Sequence, residues 1–174
     1  SIEVVVAGRL MAKRLHGKAL FFDLKDFSGK LQLYIKEEII GKQLFEAVKA
    51  FDIGDIALFK GQLFKTRTQE PTLNVKEVYL LSKSLRPLPE KWHGLKDIEI
   101  RYRQRYLDII SNDNVKEVFL MRTRLIKEIR NFLDNLGFIE VETPMIHSVP
   151  GGARGRPFKT YHNEYGLDLY LRIA

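Results

Sequence analysis

The chain has 174 residues, 45% of them hydrophobic and 29% charged, which is the composition of a folded globular protein and not of a disordered segment. Cysteine is absent, so disulfides and thiolate metal sites are excluded. No apolar run approaches the ~18 residues that a membrane-spanning helix needs, and the first residues lack the pattern of a signal peptide. We therefore expect one large or two small domains in the cytoplasm, with no membrane partner.

The net charge of +7 has the sign expected of a protein that binds polyanions. The basic excess is spread along the chain, with 15 Lys+Arg against 11 Asp+Glu in residues 1–90 and 14 against 11 in residues 91–174. Many proteins are this basic for solubility alone. The net charge is therefore compatible with nucleic acid as a partner, but it does not identify nucleic acid as the partner.

The first third of the chain has the alternation of β-strands. Residues 2–11, 18–25 and 30–36 are rich in β-branched and apolar side chains and predict three strands. Residues 26–29 predict a short hairpin loop, in which glycine supplies positive φ. Gly8 predicts a bend or bulge within the first strand.

A change of period follows the third strand. Apolar residues recur every three or four positions in residues 37–51, which predicts one amphipathic helix. Residues 56–65 and 73–82 return to strand character. Three strands, a helix and two strands are the order of an OB-fold, a five-stranded Greek-key barrel that binds oligonucleotides. An unrelated small barrel, or a split sheet with a packed helix, has the same pattern.

A boundary and a helical segment follow the barrel. Residues 86–94 contain two prolines and a glycine and predict a linker. Residues 115–136 predict a long amphipathic helix, capped at its start by Asp113 or Asn114 and closed by Gly137. Residues 138–142 predict a strand that ends before Pro144. The expected domains are 1–85, a joint over 86–110, and 111–174.

Strand alternation also separates the inner and outer faces of the barrel. The aliphatic faces of the second and third strands must form the core, because a barrel this small is filled by side chains. That leaves Phe21 on the polar face with Gln32 and Tyr34. An aromatic ring among amides and cations is typical of single-stranded nucleic acid sites, and Arg14 in the preceding loop can pair with phosphate. Packing of Phe21 under a loop or a neighbouring domain is the alternative.

Several segments resemble a known family. Residues 131–146, NFLDNLGFIEVETPMI, resemble motif 1 of class II aminoacyl-tRNA synthetases, and residues 86–110 resemble the joint before the catalytic domain in the lysyl, aspartyl and asparaginyl enzymes. Residues 151–163 and 167–174 are similar to the lysyl enzymes specifically. The resemblance implies an OB-fold anticodon-binding domain followed by the first part of an antiparallel-sheet catalytic domain, ending before motif 2.

The resemblance implies roles for named residues. In such enzymes the barrel binds the anticodon of the lysine tRNA, whose middle base is uracil. The family's anticodon-binding positions correspond here to Arg14, Phe21, Gln32 and Glu70, although the turn before Glu70 has Gln69 where the family has glycine. Motif 1 forms the homodimer interface in this class, and its positions correspond to Phe132, Gly137, Phe138 and Pro144.

The resemblance also implies a reaction. Lysine attacks ATP to form lysyl-adenylate and pyrophosphate, with Mg²⁺ neutralising phosphate oxygens, and the lysyl group then passes to tRNA with release of AMP. Gly152 corresponds to a glycine whose backbone lies against the substrate lysine. The arginines of motifs 2 and 3 have no counterpart in this sequence. We therefore assign no catalytic residue and expect this chain alone to bind no cofactor and to be inactive.

Two other interpretations remain open from the sequence. A stand-alone OB-fold module that binds nucleic acid would share the barrel pattern. An aspartyl or asparaginyl relative would share the joint, although residues 151–158, GGARGRPF, favour the lysyl branch.

Overall fold

The computed structural model describes residues 2–89 and 95–173. It divides into two compact units, residues 1–115 and residues 116–174. Most of the linker predicted over 86–94 lies outside the described residues.

The first unit is built on a five-stranded barrel. Its strands are β1 (Glu3–His16), β2 (Ala19–Lys25), β3 (Lys30–Lys36), β4 (Ile56–Lys65) and β5 (Pro71–Ser82). They close in the order β1-β2-β3-β5-β4, with β4 pairing back onto β1, and only the β3–β5 pair is parallel. The OB-fold prediction is confirmed. The predicted hairpin loop over 26–29 is also confirmed, because Oδ1 of Asp26 accepts from the backbone nitrogens of Ser28 and Gly29. The expectation of positive φ at Gly29 is wrong, since this glycine lies outside the left-handed region.

The barrel interior is filled by the aliphatic faces that the alternation selected. Side chains from all five strands and from the helix between β3 and β4 are buried together: Leu10, Leu20, Phe22, Leu24, Leu33, Ile35, Phe45, Val48, Ala57, Phe59, Leu73, Val75 and Val78. Because the side-chain period of a strand is two, this burial fixes which residues face outward.

The helical segment between β3 and β4 differs from the prediction. It contains two short helices, α1 (Glu37–Ile40) and α2 (Lys42–Lys49), instead of one. Gly41 separates them with φ 82 and ψ 153, a conformation that an α-helix cannot include. Phe45 and Val48 of α2 are buried in the barrel core.

Strand β1 is longer and bends later than expected. Gly8 pairs regularly with Ala57, whereas the register shift lies between Leu10 and Ala12, where β1 leaves β4 and continues beside β2. The reason for glycine at position 8 is close approach, since a Cβ there would lie 2.7 Å from the carbonyl oxygen of Lys25.

Two short helices, α3 (Ile98–Arg103) and α4 (Arg105–Ser111), follow the barrel in the first unit. They are joined through Asp108, which is fully buried and accepts hydrogen bonds from Arg101, Arg105 and Asn112. Burial opposes the charged form of Asp108, but these donors outweigh it and the pKa of the carboxyl lies below its usual value.

Helix α5 (Asp113–Asn135) begins two residues before the prediction, so Asp113 and Asn114 lie in its first turn and do not cap it. Its predicted end is confirmed. Gly137 has φ 86, and the backbone nitrogens of Gly137 and Phe138 donate to Asp134 and Leu133, a Schellman closure.

The predicted strand over 138–142 is wrong. This segment has no regular secondary structure and pairs with no strand among the described residues, and Glu140 instead accepts from Nε of Arg130 on α5. The sheet of the second unit is antiparallel, in the order β6-β8-β7, and consists of β6 (Ile146–His147), β7 (Lys159–His162) and β8 (Leu167–Leu171). In the described ranges, no helix is long and apolar enough to cross a membrane.

Candidate nucleic-acid interface

The outer face of β1, β2, β3 and β5 brings the sequence-predicted barrel residues together. Phe21 on β2 pairs with Arg14 on β1 and with Tyr34 on β3. Gln32, two residues before Tyr34 on β3, pairs with Thr72 on β5. Cross-strand partners on one face have Cβ atoms roughly 5 Å apart, so these side chains form one continuous surface.

Aromatic rings run across this face. The ring centroids of His16 and Phe21 are 6.0 Å apart, those of Phe21 and Tyr34 are 4.9 Å apart, and those of Tyr34 and Phe64 are 6.2 Å apart. We call these four residues the aromatic track. Packing within the track leaves Phe21 half-buried, whereas Phe64 at its far end is 39% exposed. Neighbouring rings therefore hold Phe21 in place while part of its surface remains accessible.

A buried carboxylate organises the cations beside the track. Asp23 accepts from Nη2 of Arg14 at 2.7 Å and pairs with Nζ of Lys30 at 2.9 Å. Burial of Asp23 opposes its charged form, but hydrogen bonds from Arg14 and then Lys30 outweigh this effect and lower the pKa of the carboxyl. The hydrogen bond that Arg14 donates to Asp23 likewise raises the pKa of Arg14. Arg14 is therefore a permanent cation held at a defined position.

Gln32 is fixed by a hydrogen bond within the barrel wall. Its Oε1 accepts from Oγ1 of Thr72 at 3.0 Å, and Thr72 is fully buried. Because the carbonyl end of the carboxamide is engaged, its amino end is the group oriented away from Thr72. The arrangement favours Gln32 as a donor toward a carbonyl oxygen of a bound base.

Glu70 lies in the turn that leads into β5. The backbone nitrogen of Thr66 donates to the carbonyl of Glu70, and the backbone nitrogen of Glu70 donates to Oγ1 of Thr66. Gln69 has φ 64, the left-handed conformation that glycine favours and that the resemblance places there. The exposed Glu70 carboxylate also contributes to raising the pKa of Arg14, so its charge acts on the same face.

Sequence reasoning missed four residues of this surface: His16, Asp23, Phe64 and Asn74. Strand alternation puts Asp23 on the same face as Phe21, but its ion pairs with Arg14 and Lys30 depend on β1 and β3 pairing with β2. Asn74 pairs with Tyr34 on β3 and with Gln62 on β4, and its Oδ1 is buried with no hydrogen-bond partner among the described residues. An unsatisfied buried acceptor costs about 1–3 kcal/mol. Continuing the alternation into β5 would have found Asn74.

The position of Asn74 is fixed by an irregularity in the barrel. The β4–β5 register shifts between Lys60 and Gly61, and a Cβ on Gly61 would lie 2.1 Å from the carbonyl oxygen of Asn74. Bulges of this kind turn side chains toward functional surfaces.

The residues predicted for the second unit are described separately. Phe132 and Phe138, near the end of α5, are each 63% exposed. Pro144 is also exposed, and Gly152 has φ 102 in an irregular segment. Their interface and substrate roles stay predictions. In residues 2–89 and 95–173, no group of three or more His, Cys, Asp or Glu side chains is placed to hold a metal ion.

Comparison with known families matches both parts of the chain. Residues 4–81 match the OB-fold nucleic acid binding domain, and residues 97–174 match the tRNA synthetases class II (D, K and N). Among curated proteins, lysine–tRNA ligases of Syntrophomonas wolfei and Moorella thermoacetica are 56% and 57% identical over 98% and 99% of this chain. A lysine–tRNA ligase of Thermoanaerobacter sp. is 57% identical over 98% of it.

The chain spans about a third of the length of these relatives, 34–35% in each case. The two family models match adjacent stretches in the order that the sequence predicts, and the identity extends across both. The chain therefore belongs to the lysine–tRNA ligase family of class II tRNA synthetases.

Proposed function

We propose that the barrel binds the anticodon loop of a lysine tRNA through the face that carries the aromatic track. The observation that carries this proposal is the grouping of Arg14, Phe21 and Gln32 on adjacent strands around one partly accessible ring. Single-stranded nucleic acid sites combine these elements, with a ring for a base and cations for the backbone.

Each side chain has a distinct role in this proposal. Phe21 stacks on the central base of the anticodon. Gln32 donates from its amide nitrogen to a carbonyl oxygen of that base, which uracil offers and which also matches the orientation imposed by Thr72. Arg14 meets a phosphate or the edge of the base from a position set by Asp23. Glu70 accepts from a base or ribose donor at the margin of the site.

For the whole protein we propose the lysine–tRNA ligase reaction, in which ATP, lysine and tRNA give lysyl-tRNA, AMP and pyrophosphate. The second unit contributes a backbone position for substrate lysine at Gly152 and an apolar dimer contact around Phe132 and Phe138. ATP and Mg²⁺ act in that reaction. We also propose the cytoplasm as the site of action.

Binding of the anticodon stem-loop of a lysine tRNA tests the barrel proposal, because stacking contributes roughly 1–3 kcal/mol for each base. Phe21→Ala is expected to weaken binding about 5- to 150-fold, because 1.4 kcal/mol corresponds to tenfold in affinity. Tyr79→Ala is the control, since Tyr79 is an exposed aromatic residue on β5 that pairs with Leu58 outside the track.

A second comparison addresses the base that is bound. A stem-loop with cytosine in place of the central uracil is expected to bind more weakly to the unsubstituted chain, and Gln32→Ala is expected to reduce that difference. Equal affinity for both stem-loops would contradict anticodon recognition. If the unsubstituted chain and Phe21→Ala bind the uracil stem-loop with equal affinity, Phe21 does not contribute to the site.

A further inference from the structure

The path by which the chain leaves the barrel is held by a buried carboxylate. Residues 84–89 follow β5 in the direction of α3. Asp55, one residue before β4, is fully buried. Its Oδ1 accepts from the backbone nitrogen of Ser84 at 2.8 Å, and its Oδ2 accepts from the backbone nitrogen of Asp52 at 2.9 Å. Nζ of Lys83 also donates to both oxygens. The first residue of the exit segment is therefore bonded directly to the barrel.

The chemistry of this position requires a carboxylate. Burial of Asp55 opposes its charged form, but hydrogen bonds from the backbone of Ser84 and Asp52 and from Lys83 outweigh this effect and hold the pKa of the carboxyl below its usual value. An ionised carboxylate only accepts hydrogen bonds, whereas a carboxamide presents an N–H group at one of its two ends. Only the carboxylate can accept from both backbone nitrogens at once.

Gly54 allows the exit segment to lie close to the barrel wall. Its φ is 104, and a Cβ there would lie 2.7 Å from Oγ of Ser84. The backbone nitrogen of Gly54 donates to the carbonyl of Leu10, and the backbone nitrogen of Leu10 donates to the carbonyl of Asp55, each at 2.8 Å. We call Gly54, Asp55 and Ser84 the exit clasp. Through Leu10 the clasp is tied to β1 at the register shift of that strand.

Packing contributes little to the path of the exit segment beyond the clasp. Residues 85–89 line a cavity of about 760 Å³ together with Leu15, Phe51 and Ile53. Leu85 is 91% exposed. A side chain this exposed buries little apolar surface, so it does little to hold the segment in place. The direction in which the chain leaves the barrel therefore depends on the hydrogen bonds of the clasp.

We propose that the exit clasp is a positioning device for the ligase reaction, in which Asp55 fixes the path that joins the barrel and its bound tRNA to the rest of the protein. Asp55 touches neither RNA nor substrate in this role and acts through the backbone of Ser84. The proposal rests on the proposed function, because a tRNA must be bound on the barrel and charged elsewhere in the protein. A displacement of about 1 Å that originates far from the reacting atoms can lower a rate about 100-fold.

The test compares two substitutions of Ser84 in the full-length protein. Ser84→Pro removes the backbone N–H and puts a ring carbon against Oδ1 of Asp55, so it opens the clasp without changing a core residue of the barrel. Ser84→Ala keeps the backbone N–H and loses only the hydrogen bond from Oγ to the carbonyl of Arg86. We expect Ser84→Pro to lower kcat/KM for aminoacylation of tRNA about 10- to 100-fold, with Ser84→Ala within about twofold of the unsubstituted protein.

Two further measurements separate positioning from a general folding defect. Affinity of Ser84→Pro for the anticodon stem-loop should be unchanged, because Arg14, the β1 partner of Phe21, lies four residues beyond Leu10, roughly 13 Å along the strand. Lysine-dependent ATP–pyrophosphate exchange should also be unchanged, because formation of the adenylate does not involve tRNA. Asp55→Asn, which turns an amide N–H toward one of the two backbone donors, should show the same separation of the three activities.

The outcomes distinguish the clasp from the proposed function. If Ser84→Pro aminoacylates tRNA as efficiently as Ser84→Ala, the clasp has no positioning role. If Ser84→Pro and Asp55→Asn lose stem-loop affinity or pyrophosphate exchange to the same extent as aminoacylation, the residues only stabilise the fold and the proposal is overturned. If the unsubstituted full-length protein does not aminoacylate a lysine tRNA, the proposed function itself fails.

Discussion

Replacing Asp23 by asparagine removes the charge that holds Arg14 at the candidate interface. The Asp23 side chain is only 4% exposed and pairs with Arg14 at 2.7 Å and Lys30 at 2.9 Å. Asparagine keeps the size of the side chain and one acceptor oxygen. The substitution therefore tests the charge with little change in packing.

The expected loss of stability follows from the exposure of the partners. Each hydrogen bond to a charged group contributes about 1.5–3 kcal/mol, and two are weakened. Breaking a fully buried pair costs about 3–5 kcal/mol because an uncompensated charge stays buried. Here Arg14 and Lys30 are 43% and 56% exposed, so both cations regain water when the carboxylate is removed. We expect Asp23→Asn to lower the free energy of unfolding by about 1–3 kcal/mol near pH 7.

The pH dependence provides the decisive assay. The pKa of Asp23 is lowered from 3.8 in the folded chain, so its carboxylate contributes stability that is fully present above pH 3.8 and is lost as the pH falls through the folded pKa. Urea unfolding of both chains should therefore show a difference near pH 7 that shrinks as the pH is lowered below 3.8. A difference that stays constant or grows on acidification would refute the assigned ion pairs.

Two other outcomes are expected. Gly61→Ala should lower the free energy of unfolding by about 1–3 kcal/mol, because its Cβ would meet the carbonyl oxygen of Asn74 at 2.1 Å. Gly29→Ala, with no atom within 4 Å of its Cβ, should stay within about 0.5 kcal/mol in the same urea titration, and equal losses would contradict the steric explanation. Arg14→Gln should reduce the slope of log affinity against log salt by about 0.7 in stem-loop binding, the value for one phosphate contact. An unchanged slope would mean that Arg14 contacts no phosphate.

Local patterns predicted the barrel because each strand obeys one rule. Leu20, Phe22 and Leu24 alternate with Phe21 and Asp23, and burial of the first set requires the second to face outward. The same rule placed Gln32 beside Tyr34 correctly. These outcomes follow from side-chain alternation within each strand, and closure of the barrel does not change them.

Features that depend on several segments were not predictable in this way. Asp23 is polar and lies on an outward face, yet it is buried because Arg14 and Lys30 come from two different strands and cover it. Residues 138–142 have the composition of a strand, but strand formation requires a partner, and among the described residues β6 pairs with β8 instead. Propensity for a strand is weak evidence where pairing is non-local.

The charges around the aromatic track bear on how selectively the proposed RNA site would bind. Lys18 pairs with Glu37 at 3.2 Å and Lys36 with Glu38 at 2.9 Å, while Arg14 and Lys30 share Asp23. Most of the basic charge bordering the track is thus locally compensated, in contrast to the net charge of +7 of the whole chain.

A surface of uncompensated lysines would bind any polyanion through counterion release, without distinguishing sequences. In the proposed complex the cations are positioned by carboxylates, so we expect much of the binding free energy to come from stacking on Phe21 and from the amide of Gln32. Stacking and amide contacts require unpaired bases in a particular order. If the face binds as proposed, we expect it to discriminate among RNA loops, because compensation of its cations limits the attraction of loops that do not match.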